Sequence, residues 1–315
     1  MRMVFFGTSE FAIPVLRELI AVRHNVLALV TRPDRKSGRN LKVSPPPTKV
    51  LALAKNIPVY QPQDVSSRES AEYLAGLDAD LFVVISFGQI LKKEILSLPK
   101  FYSINLHGSL LPKYRGASPT NWAIINGDKL TGVTVIKMNE RMDEGDIILK
   151  REIAIGPEDT NITLNEKLSG LGAEALSEAI DLIASNGNID LEKQDDSEAT
   201  YAPKLKKEDG LINWNEPAIA IHNKVRGLIP WPGAYTHYEG KILKILNTGV
   251  PDTPFCGKGI KTGEVVDIIK NEGILTHTGS GNILIKHLQL EGKKALDADS
   301  FVRGHRIPGG YHFGE

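Results

Sequence analysis

A continuous apolar run, Leu81-Phe-Val-Val-Ile85, does most to limit the folds open to this chain. The run is of strand length and does not alternate with polar residues, which is typical of a parallel strand covered on both faces. Similar runs at 3–6, 26–30 and 131–137 are separated by segments with helical periodicity, the longest at 160–184. Strands that alternate with helices in this way predict an α/β fold built on a doubly wound, mostly parallel sheet.

The segment after the first strand bears on which cofactors are expected. Gly7-Thr-Ser-Glu10 reads as a turn, and Ser9 is placed to cap a helix over 11–21. A strand, a glycine turn and a helix open many nucleotide-binding units, but the Gly-x-Gly-x-x-Gly fingerprint is absent, so a dinucleotide is not supported. The start of the helix could present backbone N–H groups to an anion, or could be only the first turn of the sheet domain.

The stretch 103–119 combines a predicted strand with a long irregular loop. Asn105 and His107 lie two positions apart, so on a strand their side chains project to the same face. Two polar side chains on one face are expected at the carboxyl end of a buried strand, the edge where open parallel sheets bind ligands. Gly108 then allows a turn. For Asn105 and His107 by themselves, a ligand site and a structural turn remain equally open.

Length and composition limit the class of protein. A chain of 315 residues with 41% hydrophobic and 24% charged residues is expected to form two ordinary globular domains. Cys256 is the single cysteine and the histidines show no metal-ligand spacing, so neither an internal disulfide nor a metal site is expected. No apolar stretch approaches the ~20 residues of a membrane span. The opening residues lead straight into a strand rather than a signal peptide, and a cytoplasmic location is expected.

Positive charge is concentrated near the amino terminus. The net charge of the chain is zero, yet residues 1–50 hold nine Lys or Arg against three Asp or Glu. The segment 31–47 has no regular period and is long for a loop in a compact domain. Its basic residues could neutralise phosphates of a nucleic acid, or could form a solvated surface loop. These residues are Arg32, Arg35, Lys36, Arg39 and Lys42.

The carboxyl-terminal third differs in character from the rest. A polar stretch without clear period precedes it and predicts a linker. Short strand-like runs with glycine turns then predict a small β-barrel; they lie at 234–238, 241–246, 262–269, 273–277 and 282–289. The predicted domains are therefore 1–189 and 209–315, joined by a linker at 190–208. Residues 209–315 hold 12 Lys or Arg against 11 Asp or Glu, which is weak support for RNA binding.

Three sequence motifs resemble those of one family. Asn105-Leu-His-Gly-Ser-Leu-Leu-Pro112 is followed by Tyr114-Arg-Gly-Ala-Ser-Pro119, and Ile229-Pro-Trp-Pro-Gly-Ala234 opens the last third. Their order resembles that of folate-dependent formyltransferases, and within these the branch that acts on methionyl-tRNA. The resemblance covers nearly the whole chain and implies a Rossmann-like catalytic domain followed by an OB-like domain. Ser9 departs mildly from the family, which usually has proline there.

The resemblance also implies the site residues. Asn105, His107 and Asp143 match the catalytic trio, and Asp146 is a rival to Asp143 that we interpret as supporting the loop. The residues expected at the folate site are Gly88, Gln89, Ile90, Ser109, Leu110, Leu111 and Pro112. The implied formyl donor is 10-formyltetrahydrofolate, and the implied acceptor is initiator methionyl-tRNA. The basic segment and the OB-like domain would contact the tRNA, and the enzyme would be a monomer. The residues expected to contact the tRNA from the basic segment are Arg32, Arg35, Lys36, Arg39 and Lys42.

The chemistry of formyl transfer suits these side chains. Asn105 could donate an amide N–H to the oxyanion, a contribution of about 2–4 kcal/mol from a preorganised donor. A histidine such as His107 ordinarily titrates near neutral pH and could donate to the oxyanion or shuttle the proton. Asp143 could orient the imidazole or accept the proton of the amine through water. The sequence does not separate these two roles.

Other functions remain open on the sequence. A formyltransferase that modifies an amino-sugar nucleotide would use the same trio, but would lack the basic segment and this carboxyl-terminal domain. A hydrolase of formyl-folate would replace the amine by water. An RNA-binding protein without catalysis would leave Asn105, His107 and Asp143 unexplained.

Overall fold

The computed structural model describes residues 1–22, 24–37, 42–186, 189–251 and 259–314. The chain divides into two compact units. The first comprises Met1–Pro119, Leu130–Ala154 and Asn165–Ala202. The second comprises Thr120–Lys129, Ile155–Leu164 and Pro203–Glu315. No helix among the described residues has the length and apolar composition needed to cross a membrane.

Strands and helices alternate through the amino-terminal two thirds of the chain. The strands are β1 (Arg2–Gly7), β2 (Asn25–Val30), β3 (Arg35–Ser37), β4 (Lys42–Ser44), β5 (Val59–Tyr60), β6 (Leu81–Ile85), β7 (Tyr102–His107), β8 (Arg115–Gly116), β9 (Leu130–Lys137), β10 (Asp146–Ala154) and β11 (Tyr201–Ala202). The helices are α1 (Ile13–Ala21), α2 (Pro47–Ala54), α3 (Arg68–Gly76), α4 (Lys93–Leu96), α5 (Pro119–Ile125) and α6 (Asn161–Asn186).

Seven of these strands form the main sheet, in the order β10-β9-β7-β6-β1-β2-β5. Neighbours from β7 to β5 are parallel, whereas β9 runs antiparallel to both β7 and β10. The alternation of strands and helices did not predict this reversal. For the β9–β10 pair the reason is the connection at 138–145, which is too short for the crossover that parallel neighbours require. The prediction of a mostly parallel sheet is confirmed.

The apolar run that limits the fold lies in the middle of this sheet. All five residues of β6 are buried, and the strand has β1 on one side and β7 on the other. Phe82 packs against Phe6 of β1, with ring centroids 5.1 Å apart. Helices cover such a strand on both faces, which explains why no polar residue interrupts it.

The first helix begins later than the sequence predicts. Glu10–Ala12 form a 3-10 turn and α1 starts at Ile13, while the side chain of Ser9 makes no capping hydrogen bond. Pro14 explains the start, because proline has no N–H to donate and is tolerated only in the first turn of an α-helix.

Two segments predicted to be irregular contain short strands. Within the basic segment, β3 and β4 pair antiparallel, with Arg35 opposite Ser44. Within the predicted linker at 190–208, β11 pairs with β8, and Glu192 exchanges backbone hydrogen bonds with Ile147. Strands of two or three residues are too short to leave a period in the sequence. The domain limits at 189 and 209 stay a prediction.

The second unit contains an antiparallel sheet and two further helices. Its elements are α7 (Ala218–Gly227), β12 (Ala234–Tyr238), β13 (Lys241–Gly249), β14 (Val265–Ile269), β15 (Gly273–His277), β16 (Asn282–Leu290), β17 (Leu296–Asp297) and α8 (Ala298–Gly304). The strand order is β12-β13-β16-β15-β14, and β17 pairs with β16. Ile221 of α7 packs in the core beside Leu243 and Ile285. The predicted fold class, an α/β domain followed by a barrel-like β domain, is confirmed.

Candidate functional site

Strand β7 brings Asn105 and His107 to the carboxyl edge of the main sheet. Asn105 pairs with Val84 of β6, and His107 is the last residue of β7. Because β6 and β1 run parallel to β7, their carboxyl ends meet at the same edge. This is the edge where open α/β sheets bind ligands.

The imidazole of His107 is held in one orientation. The side chain is buried, with 6% of the residue exposed, and Nε2 lies 2.9 Å from the carbonyl oxygen of Tyr114. A carbonyl can only accept, so Nε2 carries the hydrogen and donates it. Nδ1 is then the nitrogen left for chemistry. It lies 3.6 Å from Oδ1 of Asp143, beyond ordinary hydrogen-bond length.

Asp143 completes the predicted trio. Asn105 Nδ2 donates to Asp143 Oδ1 at 3.4 Å, so the same oxygen faces both the amide and the imidazole. The other oxygen, Oδ2, accepts a hydrogen bond of 2.9 Å from the backbone N–H of Gly116. The structure therefore brings the three residues together, although 38 positions separate Asn105 from Asp143.

The loop that carries Asp143 has a demanding backbone. Asp143 has a φ of +57°, in the left-handed region that residues other than glycine rarely adopt. At Gly145 an added Cβ would lie 1.9 Å from the carbonyl oxygen of Lys137, so no larger residue fits. Asp146, the rival to Asp143, is the first residue of β10 and pairs with Lys137.

The turn after β6 contains three of the predicted folate residues. Gly88 has a φ of +79° and is exposed. The side chain of Gln89 is used within the protein, since it accepts from Val65 N at 2.9 Å and donates to Pro62 O at 3.2 Å. Ile90 is 70% exposed. The turn thus presents backbone and an apolar side chain, and the amide of Gln89 fixes its position.

The turn after β7 contains the other four. Ser109 is fully buried, and its hydroxyl donates to Lys113 O at 2.6 Å. Leu111 is 1% exposed and packs with the side chains of Ile136 and Ile147. Pro112 is buried, whereas Leu110 is only half-buried. Leu110 is therefore better placed than its neighbours to contact a ligand with its side chain.

The predicted tRNA residues do not share one environment. The guanidinium of Arg32 donates through Nη2 to the carbonyl oxygen of Gly88, which belongs to the predicted folate set. Arg35, on β3, is exposed. Lys36 and Lys42 lie on β3 and β4, and their side chains are outside the described part of the structure, as is the whole of Arg39.

The base of the basic hairpin, β3 with β4, is held by hydrogen bonds. Gln61 Nε2 donates to Arg32 O and to Asp34 Oδ1, both at 2.8 Å, and Lys49 Nζ lies 2.9 Å from both oxygens of Asp34. Hydrogen bonds from Gln61 and then Lys49 lower the pKa of Asp34 below its ordinary value. Gln61 and Lys49 therefore fix the position of the chain at Asp34, just before β3.

Two residues beside the site had no predicted role. Arg115 stands in the Tyr-Arg-Gly motif and is 3% exposed, and Gln194 lies in the predicted linker. Both guanidinium Nε and Nη2 of Arg115 donate to Gln194 Oε1. The motif that contains Arg115 is a sequence signal by which this residue could have been found. Nothing in the sequence points to Gln194, which is 79 positions away.

The side chains were also compared with the geometry of metal sites. Across the residues that the structure describes, no group of three or more His, Cys, Asp or Glu side chains is arranged to hold an ion.

Comparison with known proteins identifies the family of the chain. Residues 1–180 match the family "Formyl transferase", and residues 204–306 match "Formyl transferase, C-terminal domain". The methionyl-tRNA formyltransferase of Geobacter sulfurreducens is 47% identical over 317 residues, covering 100% of this chain and 97% of that protein. That of Citrifermentans bemidjiense is 49% identical over 311 residues, covering 98% of this chain and 96% of the relative.

Solved structures share the fold at lower identity. An N-formyltransferase from Helicobacter canadensis, solved with folinic acid and dTDP-3-aminofucose, superimposes with a TM-score of 0.67 at 20% identity. The match covers 90% of this chain and 98% of that one. HypX from Aquifex aeolicus in complex with tetrahydrofolic acid gives 0.65 at 18% identity, covering 96% of this chain and 47% of that one.

The structural matches are evidence of fold alone, but the sequence matches span both parts of the chain at nearly half identity. The protein belongs to the methionyl-tRNA formyltransferase family.

Proposed function

We propose that the protein transfers the formyl group of 10-formyltetrahydrofolate to the α-amino group of initiator methionyl-tRNA. The observation that carries this proposal is the meeting of Asn105, His107 and Asp143 at the carboxyl edge of the sheet, with one oxygen of Asp143 facing both partners. Relatives that match over the whole chain bear the name of this activity. The product is N-formylmethionyl-tRNA, which is used to initiate translation.

The three side chains divide the work of formyl transfer. The amide Nδ2 of Asn105 donates to the oxygen of the formyl group as charge develops on it, a contribution of about 2–4 kcal/mol for one preorganised donor. His107 Nδ1 and Asp143 Oδ1 lie 3.6 Å apart and can each accept the proton that the amine loses. Because Nε2 is committed to Tyr114 O, the proton reaches the leaving nitrogen through Nδ1.

The folate site is proposed at the same edge. The exposed turn with Gly88, Gln89 and Ile90 would hold the pterin ring through its backbone groups. The turn of Ser109, Leu110, Leu111 and Pro112 would form the opposite wall, with Leu110 in contact with the ligand. The burial of Ser109, Leu111 and Pro112 supports this proposal, because buried residues can hold the wall in place. Arg32 supports the pterin side, since its guanidinium contacts Gly88 O.

The acceptor is proposed to be bound by two further regions. Arg35, Lys36 and Lys42 of the basic hairpin, and Arg39 from the same basic segment of the sequence, would contact tRNA phosphates. Arg32, at the start of that segment, would instead support the folate turn through its contact with Gly88 O. The OB-like domain would also contact the tRNA. The proposed limits are 1–189 for the catalytic domain, 190–208 for the linker and 209–315 for the OB-like domain. The enzyme is proposed to act as a monomer in the cytoplasm.

A formyl-transfer assay tests the proposal. The protein is given 10-formyltetrahydrofolate together with charged initiator methionyl-tRNA, free methionine or an amino-sugar nucleotide. We expect formylation of the tRNA alone, and in the His107→Ala variant a loss of turnover of about 10²–10⁴-fold with tRNA binding retained. Formylation of the sugar alone would overturn the acceptor, and consumption of formyl-folate without any acceptor would make the protein a hydrolase.

A further inference from the structure

The segment 192–202, most of the predicted linker, follows the edge of the site closely. Glu192 and Ile147 exchange backbone hydrogen bonds of 2.7 and 3.0 Å, which places the segment beside the loop of Asp143. Farther along, the backbone N–H of Arg115 donates to Thr200 O at 2.8 Å, and β11 pairs with β8. The segment therefore contacts both loops that hold the His107–Asp143 pair.

Gln194 lies in this segment, and its amide group donates two hydrogen bonds and accepts two. Nε2 donates to the carbonyl oxygens of Asp143 at 2.8 Å and Gly145 at 2.7 Å. Oε1 accepts from Arg115 Nε at 3.0 Å and Nη2 at 2.9 Å. Carbonyls only accept and guanidinium groups only donate, so the partners determine which way round the amide lies.

Arg115 anchors Gln194 from behind. Its side chain is 2% exposed, and Nη2 also donates to Asp196 Oδ1 at 2.7 Å while Nη1 lies 3.7 Å from Glu144 Oε1. A buried guanidinium with two hydrogen-bond acceptors and a second carboxylate nearby is held in one place, because each lost contact would leave its charge less compensated. The amide of Gln194 is thus fixed on one side by Arg115 and on the other holds the Asp143 loop.

The loop needs such support because of its conformation. The left-handed backbone of Asp143 is unfavourable for a residue with a Cβ, and it persists only where neighbours hold it. Gly116 N fixes the carboxylate through Oδ2, but the peptide that follows Asp143 is held by Gln194. When that support is lost, we expect the carboxylate to shift from its position 3.6 Å from His107 Nδ1.

We propose that Gln194 is a positioning residue for formyl transfer, acting through the carbonyl oxygens of Asp143 and Gly145. The proposal rests on the proposed catalytic role of Asp143. Gln194 does not touch the substrates in this scheme, so its loss changes the rate of the chemical step and leaves substrate binding intact.

Single-turnover formylation of methionyl-tRNA with enzyme in excess tests it. In Gln194→Ala we expect a rate about 10–100-fold lower, as for a displacement of about 1 Å in a catalytic group, with the concentrations for half-saturation by tRNA and formyl-folate unchanged. Gln194→Glu keeps the contact with Arg115 but turns an oxygen toward two carbonyls, so its rate falls at least as far. This second variant decides the matter if Gln194→Ala loses its circular dichroism signal.

Glu192→Gln is the matched control in the same segment. Its exposed side chain pairs with Lys150 Nζ at 3.1 Å, and an ionised carboxylate has no hydrogen to donate to the loop carbonyls. We expect the rate of this variant to equal that of the unmodified protein.

A double-mutant cycle separates positioning from general destabilisation. If Gln194 acts through Asp143, Gln194→Ala causes no further loss in an Asp143→Asn background. An equal loss in both backgrounds, an unchanged rate in Gln194→Ala, or a change confined to half-saturation would each overturn the proposal. Full activity of Asp143→Asn alone would instead remove Asp143 from catalysis, and the role of Gln194 with it.

Discussion

At the scale of single residues, the site depends on backbone conformations that few residue types accept. Tyr114 has a φ of +62° and Asp143 a φ of +57°, and the first directs a carbonyl at His107 while the second directs its carboxylate at the same ring. Each left-handed residue with a Cβ costs about 1–2 kcal/mol. Hydrogen bonds from the segment 192–202 offset this cost, since Thr200 Oγ1 accepts from Tyr114 N at 2.9 Å and Gln194 holds Asp143.

Gly116 gives the sharpest prediction at this scale. Its φ of +124° disfavours any side chain, and an added Cβ would lie 2.6 Å from the carbonyl oxygen of Ala202. Its N–H also holds Asp143 Oδ2. We expect Gly116→Ala to lower the free energy of unfolding by about 1–3 kcal/mol and to lower the turnover rate, measured by urea unfolding with circular dichroism and by formylation of methionyl-tRNA.

Gly76→Ala is the control for that substitution. Gly76 ends α3, and an added Cβ there meets no atom within 4 Å. Alanine reduces the freedom of the unfolded chain, so we expect a gain of about 0.4–1 kcal/mol and unchanged turnover. Equal stability of Gly116→Ala and Gly76→Ala would contradict the close approach of Gly116 to Ala202.

Site residues that are close together in the sequence could be predicted from its local pattern, whereas those far apart could not. Asn105 and His107 are two positions apart on one strand, so the strand period alone predicts that they share a face. Asp143 was predicted by resemblance to a family motif, and the structure places it beside them. Gln194 could not be predicted, because its contacts cross 51 positions to Asp143 and arise only when the chain folds back.

At the scale of elements, the basic hairpin divides the predicted tRNA residues into two kinds. Arg35 is exposed on β3, whereas the guanidinium of Arg32 lies against Gly88 O beside the folate turn. The sequence placed both residues in one basic run. It could not show which side chain folds back on the domain, since that depends on the turn after β6.

Binding of tRNA to two variants tests this division. A plot of log Kd against log salt concentration should lose about 0.7–0.9 of slope in Arg35→Ala, the effect of one phosphate contact. Arg32→Ala should keep the full slope and bind tetrahydrofolate more weakly, because the turn at Gly88 loses its support. A reduced salt slope in Arg32→Ala with unchanged folate binding would show that Arg32 contacts the tRNA and does not support the folate turn.

Helix α7 gives a pH-dependent prediction for the second unit. His222 lies on the buried face of this helix, with Nδ1 3.0 Å from Thr248 Oγ1 on β13, and burial followed by the charge of Arg226 lowers its pKa. Below the unfolded-state value of about 6.5 the unfolded chain binds a proton that the folded protein does not. The free energy of unfolding therefore falls as the pH drops through that value toward the lowered one, and above about 6.5 this effect is absent.

Urea unfolding followed by tryptophan fluorescence measures this effect in the relevant unit. All three tryptophans, Trp122, Trp214 and Trp231, belong to the second unit. His222→Gln keeps a polar side chain but cannot be protonated, so its stability relative to the unmodified protein should be higher at pH 5.5 than at pH 7.5. The same stability difference at both pH values would show that His222 is not the group responsible.

Sequence patterns predicted the longer elements well and the shortest ones poorly. β6 and α6 were expected from an apolar run and from the longest helical segment, and both are present. β3, β4, β8 and β11 were missed because two or three residues carry no period. The direction of β9 was missed for another reason: strand direction is set by the connection to the neighbouring strand, which local sequence does not encode.

At the scale of the whole molecule, the folate is proposed to bind in one unit only, whereas the tRNA is proposed to contact both. Every residue proposed to hold the folate, and the catalytic trio, belongs to the first unit. The second unit contributes the β domain proposed to touch tRNA. The whole chain has no net charge, so attraction of the tRNA must come from local basic surfaces such as the hairpin.

Hydrogen exchange with each substrate tests this separation in the intact chain. A ligand at 100 times its dissociation constant stabilises the conformation that binds it by about 2.7 kcal/mol, which slows exchange where opening would disrupt the site. With tetrahydrofolate alone, we expect slower exchange in peptides covering 86–91, 108–112 and 138–145. Peptides from 209–251 and 259–314 should exchange as in the free protein until methionyl-tRNA is added, when they and the peptide 42–55 should slow. Protection of the second unit by tetrahydrofolate alone, or none at 86–91, would place the folate elsewhere.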